Sequence, residues 1–351
     1  MTQGATIRVV DMHTAGEPVR IVESGYPELA GATLLQKRRE AYTRHDDLRR
    51  TIMLEPRGHS GMYGVIPTAA THPDAAFAVL FTHQEGYSTM CGHATIALGR
   101  WAVDTGRAAL VDGHAQFKLE APCGVLDVDV WQEAEATTVS FQSVEAFADI
   151  LDLPVEVRGF GTIILDIAYG GAFYAIVPAS RLGLSLMSSP LADLVAAGIA
   201  ITDTVRATVQ IEHPGEADLG FLYGTILTDD LPLGGAGTEI SYNLCIFAEG
   251  QIDRSPTGSG VTARIALAAA RGEMVEGDTC SIAGVSGIPF AGTLAVTTTT
   301  KTGITSRVRV SGSSFYTGRS EFIREVGDPF RHGLALPSTF ADLTPARTPQ
   351  D

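Results

Sequence analysis

The sequence predicts a mixed α/β (α+β) chain built as two pseudo-symmetric halves, each a curled sheet around a central buried helix. Three observations lead there. Short runs rich in Val, Ile and Thr, punctuated by Gly, Pro and Asp, dominate the chain. Two helix-like runs, residues 93–103 and 259–270, are apolar on nearly every face, which marks a helix enclosed by other structure. Each run starts at a matched turn, Met90-Cys91-Gly92-His93 in one case and Pro256-Thr257-Gly258-Ser259 in the other.

In chain order, residues 75–82 read as a strand leading to the first turn and helix. In that helix Ile96, Ala97, Leu98, Trp101, Ala102 and Val103 cover most directions, and Gly106 supplies a stop. Strands follow at 124–130 and 137–142. A boundary near 150–162 divides the chain into similar halves, 1–158 and 159–324, with about 325–351 expected to pack back on the first. In the second half strands are expected at 161–167, 172–177, 206–211, 221–227 and 306–310, and a further helix at 190–198. The second apolar helix holds Ile265, Ala266, Leu267, Ala268, Ala269 and Ala270 and stops at Gly272. The threonine run 297–300 reads as strand rather than linker. Ala76-Phe77-Ala78-Val79 and Ala172-Phe173-Tyr174-Ala175 form a faint internal repeat.

Bulk properties exclude several classes. The chain has 351 residues, about two ordinary domains. It is 45% hydrophobic and 19% charged, which suits a folded core. A net charge of −15 argues against nucleic acid and anionic membranes as partners. It leaves room for a small anionic substrate, because helix ends act locally. No apolar run approaches the roughly 20 residues of a membrane helix, and residues 1–10 carry no secretion pattern. Cys91, Cys123, Cys245 and Cys280 are widely spaced, which fits a reducing cytosol better than a disulfide framework. None of the three lysines, Lys37, Lys118 and Lys301, sits in a setting that suggests a Schiff-base cofactor.

The chemistry concentrates at the two turns. Two facing helix N-termini attract a carboxylate and favour an ionised thiol. Cys91 can ionise; Thr257 cannot readily do so. Residue types alone leave Cys91 open as a thiolate base or nucleophile, or as a buried structural cysteine. His93 reads as a group that tunes the thiol or contacts substrate, or as a helix-start histidine bonded to backbone. Cys91 and His93 lack a second Cys/His pair at zinc spacing, so no metal is expected. Asp253 opens Asp-Arg-Ser-Pro-Thr-Gly-Ser, where it is either a holder of a substrate ammonium or a turn aspartate. Thr257 could equally be an N-cap. The turn lacks the Gly-Lys-Ser/Thr ending of a phosphate loop. Cys123, Cys245 and Cys280 read as core or incidental residues. Two polar strings, 11–18 and 55–64, are turn-rich and are either surface turns or loops that support a site.

Taken together, these strings resemble the proline racemase family. The matching segments are 11–20, 55–64, 90–97, 169–177 and 253–260, in family order and spread through most of the chain. The resemblance implies the diaminopimelate-epimerase-like fold, with the active site in the cleft between the halves. Racemases and epimerases of the family carry cysteine on both turns, one thiolate removing the α-proton and the opposite thiol returning one. Here the second position is Thr257, a pairing similar to the family's trans-3-hydroxy-L-proline dehydratase branch. The resemblance then implies that Cys91 is the base and that Thr257 faces the opposite side of Cα. It implies that the backbone N–H groups of Gly92, His93, Gly258 and Ser259 hold the substrate carboxylate. It also implies that Asp253, aided by the His93 side chain, binds the ring amine. The activity it implies is dehydration of the imino acid to Δ1-pyrroline-2-carboxylate without a cofactor, by a cytoplasmic homodimer. The leaving hydroxyl would take its proton from Cys91 or a water. Two alternatives stand beside this: a proline racemase or 4-hydroxyproline 2-epimerase, opposed by Thr257, and a non-catalytic amino-acid-binding protein, opposed by the thiol of Cys91.

Overall fold

The computed structural model of the chain describes residues 5–234, 239–301 and 303–335. Its strands join into one continuous sheet that curls twice, once around each apolar helix. The first curl starts with the hairpin of β1 (Ala5–Thr14) and β2 (Glu17–Ser24). Ala15 and Gly16 make its two-residue loop, with φ of +48° and +84°, the left-handed pair such a tight hairpin requires. β2 pairs in parallel with β3 (Gly64–Thr68), and β3 pairs with β4 (Phe77–Thr82). The short β5 (Tyr87–Ser88) borders β4. β6 (His114–Ala121), β7 (Gly124–Glu133) and β8 (Ala136–Gln142) continue from β4.

The second curl is a closed ring. β9 (Ala146–Val157), β10 (Gly161–Tyr169), β11 (Phe173–Pro178), β12 (Leu222–Thr228) and β13 (Ile240–Phe247) pair in that order. The short β14 (Gln251–Ile252) borders β13. β15 (Thr279–Ala283), β16 (Pro289–Thr300) and β17 (Gly303–Gly312) complete the ring. β17 closes it by pairing with β9, and joins the two curls by pairing with β8. β18 (Ser314–Arg324) then returns to β1. β9 and β10 form one hairpin across residues 158–160, so β9 belongs to the second curl. Beyond β18, Arg57 pairs with Asp328 at 2.7 Å, and Leu334 N–H donates to the Glu55 carbonyl at 2.6 Å. Residues 336–351 lie outside the described residues.

Of the helices α1 (Leu34–Arg44), α2 (Asp46–Met53), α3 (Gly92–Asp104), α4 (Leu191–Thr208) and α5 (Gly258–Ala270), α3 and α5 are the enclosed pair. Residues of both helices share one hydrophobic core. Both end in the same hydrogen-bonded turn. Gly106 N–H bonds Val103 O and Arg107 N–H bonds Ala102 O; Gly272 N–H bonds Ala269 O and Glu273 N–H bonds Ala268 O. The two glycines take φ of +72° and +73°, the left-handed stop inferred from sequence.

One expected strand is absent. Residues 206–211 do not form a strand, because α4 runs on to Thr208. Its β-branched residues suggest strand, but Leu194, Ala197, Ile201 and Val205 make a helical stripe buried on the second sheet. Gly198 does not end this helix: a Cβ there would lie 2.7 Å from Ile246 Cδ1, so the glycine permits close packing. Among the described residues no helix is long and apolar enough to cross a membrane.

Candidate active site

The two matched turns meet. A Cβ built on Gly92 would lie 2.4 Å from Gly258 Cα, and one on Gly258 would lie 2.7 Å from Gly92 Cα. Only glycine allows the N-termini of α3 and α5 to abut this way. The first amides of a helix have no intrahelical acceptor, so those of Gly92, His93, Gly258 and Ser259 gather where the two positive helix ends converge. The cavity beside them is lined by Cys91, His93, Asp253, Thr257 and Ser259, with Tyr63, Tyr174, Tyr223, Cys245 and Phe247 completing the walls. Its volume is about 20 Å³, room for about one water.

The two walls differ chemically. Cys91 is the N-cap of α3 and its sulfur accepts the Ala94 N–H at 3.4 Å. The sulfur lies 3.2 Å from His93 Nδ1, and Tyr63, its hydroxyl bonded to Ser88 Oγ, lines the same cavity. His93 Nδ1 is also 3.7 Å from Asp253 Oδ2. Burial by itself would depress the His93 pKa; the Cys91 sulfur and the Asp253 carboxylate outweigh it and hold the imidazole well above its ordinary value. In its protonated form the ring presents Nδ1–H toward the Cys91 sulfur and the Asp253 carboxylate.

Thr257 occupies the N-cap position of α5 without capping it. Its φ of +63° is a true outlier for a β-branched residue, of a kind that costs about 1–3 kcal/mol. The surrounding turn imposes it. Asp253 Oδ1 accepts the Ser255 N–H at 2.8 Å, Ser255 Oγ accepts the Thr257 N–H at 3.2 Å, and Asn243 Nδ2 donates to the Pro256 carbonyl at 2.9 Å. The Thr257 hydroxyl donates to Asp253 Oδ2 at 2.9 Å. Its proton is thus committed to a carboxylate, which leaves this wall without a ready acid. Asp253 is a turn aspartate, one of its two sequence readings, and it also lines the cavity.

Cys245, a core or incidental residue in the sequence reading, is fully buried in the core and also lines the cavity. It shares a face of β13 with Phe247, two residues on. Burial, then the nearby Asp253 carboxylate, push its thiol well above the ordinary value, so it stays protonated. Tyr63 lay within the polar string 55–64, but nothing in the composition marked it as a wall of the site. Tyr174 bonds Ser259 Oγ at 2.7 Å, and Tyr223 stacks on Phe247; both sit in strand patterns indistinguishable from core.

Residues 9–335 match the family model described as proline racemase. The chain belongs to the proline racemase family. It is 46% identical over 336 residues to the trans-L-3-hydroxyproline dehydratase of Xenopus tropicalis, covering 95% of this chain and 96% of that protein. It is 42% identical to the trans-3-hydroxy-L-proline dehydratase of Colwellia psychrerythraea, covering 94% and 93% of the two chains. A solved structure of a probable proline racemase from Agrobacterium radiobacter, with bound carbonate, superposes with a TM-score of 0.87 at 26% identity, covering 94% of this chain and 96% of that one. The family fold of two pseudo-symmetric halves around paired helices is the one expected from sequence.

Proposed function

We propose that this member of the proline racemase family is a hydro-lyase that dehydrates trans-3-hydroxy-L-proline to Δ1-pyrroline-2-carboxylate without a cofactor. The observation that carries the reading is the unequal pair at the two helix starts, Cys91 on one and Thr257 on the other. The names of the relatives agree with it.

On this reading the substrate carboxylate sits against the amides of Gly92, His93, Gly258 and Ser259, and the ring ammonium against Asp253 with His93 beside it. Removing the α-proton builds negative charge on the carboxylate, where two helix N-termini stabilise it. In the trans-3-hydroxy isomer the hydroxyl and the α-hydrogen share a ring face. Cys91 takes the α-proton, the C3–O bond breaks, and the sulfur's new proton is delivered to the departing oxygen, directly or through a water. The products are water and an enamine, which tautomerises by moving the nitrogen's proton to C3. Thr257, its proton held by Asp253, does not reprotonate Cα from the far side, so elimination prevails over inversion. The small cavity must open to admit the imino acid, and residues of both halves form its walls. With its free cysteines we place the enzyme in a reducing cytosol, as a homodimer.

The test is direct. Purified protein with no added cofactor is incubated with trans-3-hydroxy-L-proline and the product followed by NMR. Formation of the pyrroline carboxylate supports the reading; folded enzyme that forms none refutes it.

A further inference from the structure

The polar strings 11–18 and 55–64 have no part in the chemistry above, yet they converge on one residue of the opposite half. That residue is Arg254, between Asp253 and the turn that carries Thr257. The tight β1–β2 loop sets Glu17 at the start of β2, fully buried. Glu17 Oε2 accepts the Arg254 backbone N–H at 2.8 Å and its Nη1 at 3.0 Å. Arg254 Nη1 also reaches the Gly61 carbonyl at 3.3 Å, and a Cβ on Gly61 would lie 2.9 Å from Arg254 Nη2. Gly61 therefore leaves space for the guanidinium. The other carboxylate oxygen, Oε1, is buried and has no hydrogen-bond partner among the described residues. A buried charge with an unpaired oxygen is costly, and an apolar or amide side chain would spare the fold that cost.

We propose that Glu17 is a positioning residue of the active site, a carboxylate of the first half that clamps Arg254 and so fixes Asp253 and Thr257 of the second half opposite Cys91. The groups that face it are Asp253, His93 and Arg254, with Cys245 also within its field. Burial, then the like charge of Asp253, raise the Glu17 pKa to about 7, against the opposing pull of His93 and Arg254. The sign for stability follows. A carboxyl raised in the folded state gives stability that is full below its unfolded value and lost as pH climbs through about 7. The ionised clamp needed for activity thus forms at the expense of stability.

The proposal rests on the dehydratase reading for its activity readout and on melting for a readout free of it. The experiment compares wild type with Glu17→Gln, an isostere that keeps an acceptor for the Arg254 N–H but cannot ionise. We expect kcat/KM on trans-3-hydroxy-L-proline to fall at least tenfold at pH 8, and a limb of the wild-type pH profile near 7 to vanish. We expect the melting temperature of the variant to match wild type at pH 5 and exceed it at pH 8. Unchanged kcat/KM with the limb retained, or a variant less stable than wild type at pH 8, overturns the proposal. Wild type that fails to dehydrate the substrate sinks the dehydratase reading alone, and the melting comparison then still decides the case of Glu17.

Discussion

Gly92→Ala tests whether the abutting helix ends make the site. Gly92 has no positive φ, so alanine meets no backbone strain there. Space is the obstacle: the new methyl carbon would sit 2.4 Å from Gly258 Cα and 3.0 Å from Gly258 C and N. All three are backbone atoms, so no rotamer change relieves the clash. Reaching ordinary contact at 3.4 Å or more parts the helix starts by about 1 Å. Overpacking of this size costs about 1–3 kcal/mol of stability. On the proposed function, a 1 Å displacement of the amides assigned to the carboxylate from Cys91 costs about 10²-fold in rate. The assay is kcat on trans-3-hydroxy-L-proline alongside thermal unfolding. Gly272→Ala serves as control: its φ of +73° makes alanine strained by about 1–2 kcal/mol, but the site is open and lies at the far end of α5. We expect both variants to lose stability and only Gly92→Ala to lose activity. Full activity in Gly92→Ala would refute the argument that helix-end contact positions the chemistry.

Three further outcomes follow from the same geometry. Cys91→Ala should lower kcat about 10³-fold, as removal of a general base does, with a melting temperature near wild type; an active variant removes Cys91 from the base role. Thr257→Cys should introduce α-carbon epimerisation, seen as deuterium at an inverted Cα, because a thiol near ~8.5 exchanges protons that an alcohol does not; label that never appears with inversion counts against the asymmetry argument. His93→Gln reports on pH. Since the folded-state pKa of His93 is raised, its stabilisation is full below about 6.5 and is lost as pH rises through the raised value. The melting difference between wild type and variant should therefore shrink toward alkaline pH, and a difference that grows would contradict the upward shift of His93.

Much of this was legible in the sequence because the enclosed helices have no polar face and both begin with the same Cys/Thr-Gly pattern. Gly106 and Gly272 marked the helix ends for a local reason, their left-handed backbone. What stayed hidden depends on long-range contact. α4 carries enough β-branched residues to mimic strand, and its helical stripe becomes decisive only against the second sheet. Cys245 and Tyr223 occupy strand positions like any core residue until β13 and β12 are set beside the helix starts. Glu17 looks like a turn residue until the fold brings Arg254 to it across 237 positions of sequence.

The most direct measurement of the central claim is made in deuterated water. L-proline and the 3- and 4-hydroxyproline isomers are each incubated with the enzyme, and elimination and Cα deuterium are scored together. With a thiol on one wall and a carboxylate-bound alcohol on the other, trans-3-hydroxy-L-proline should eliminate, while the other imino acids keep their configuration. Rapid deuterium uptake with inversion on L-proline or 4-hydroxyproline, or no elimination from the 3-hydroxy isomer, would contradict it.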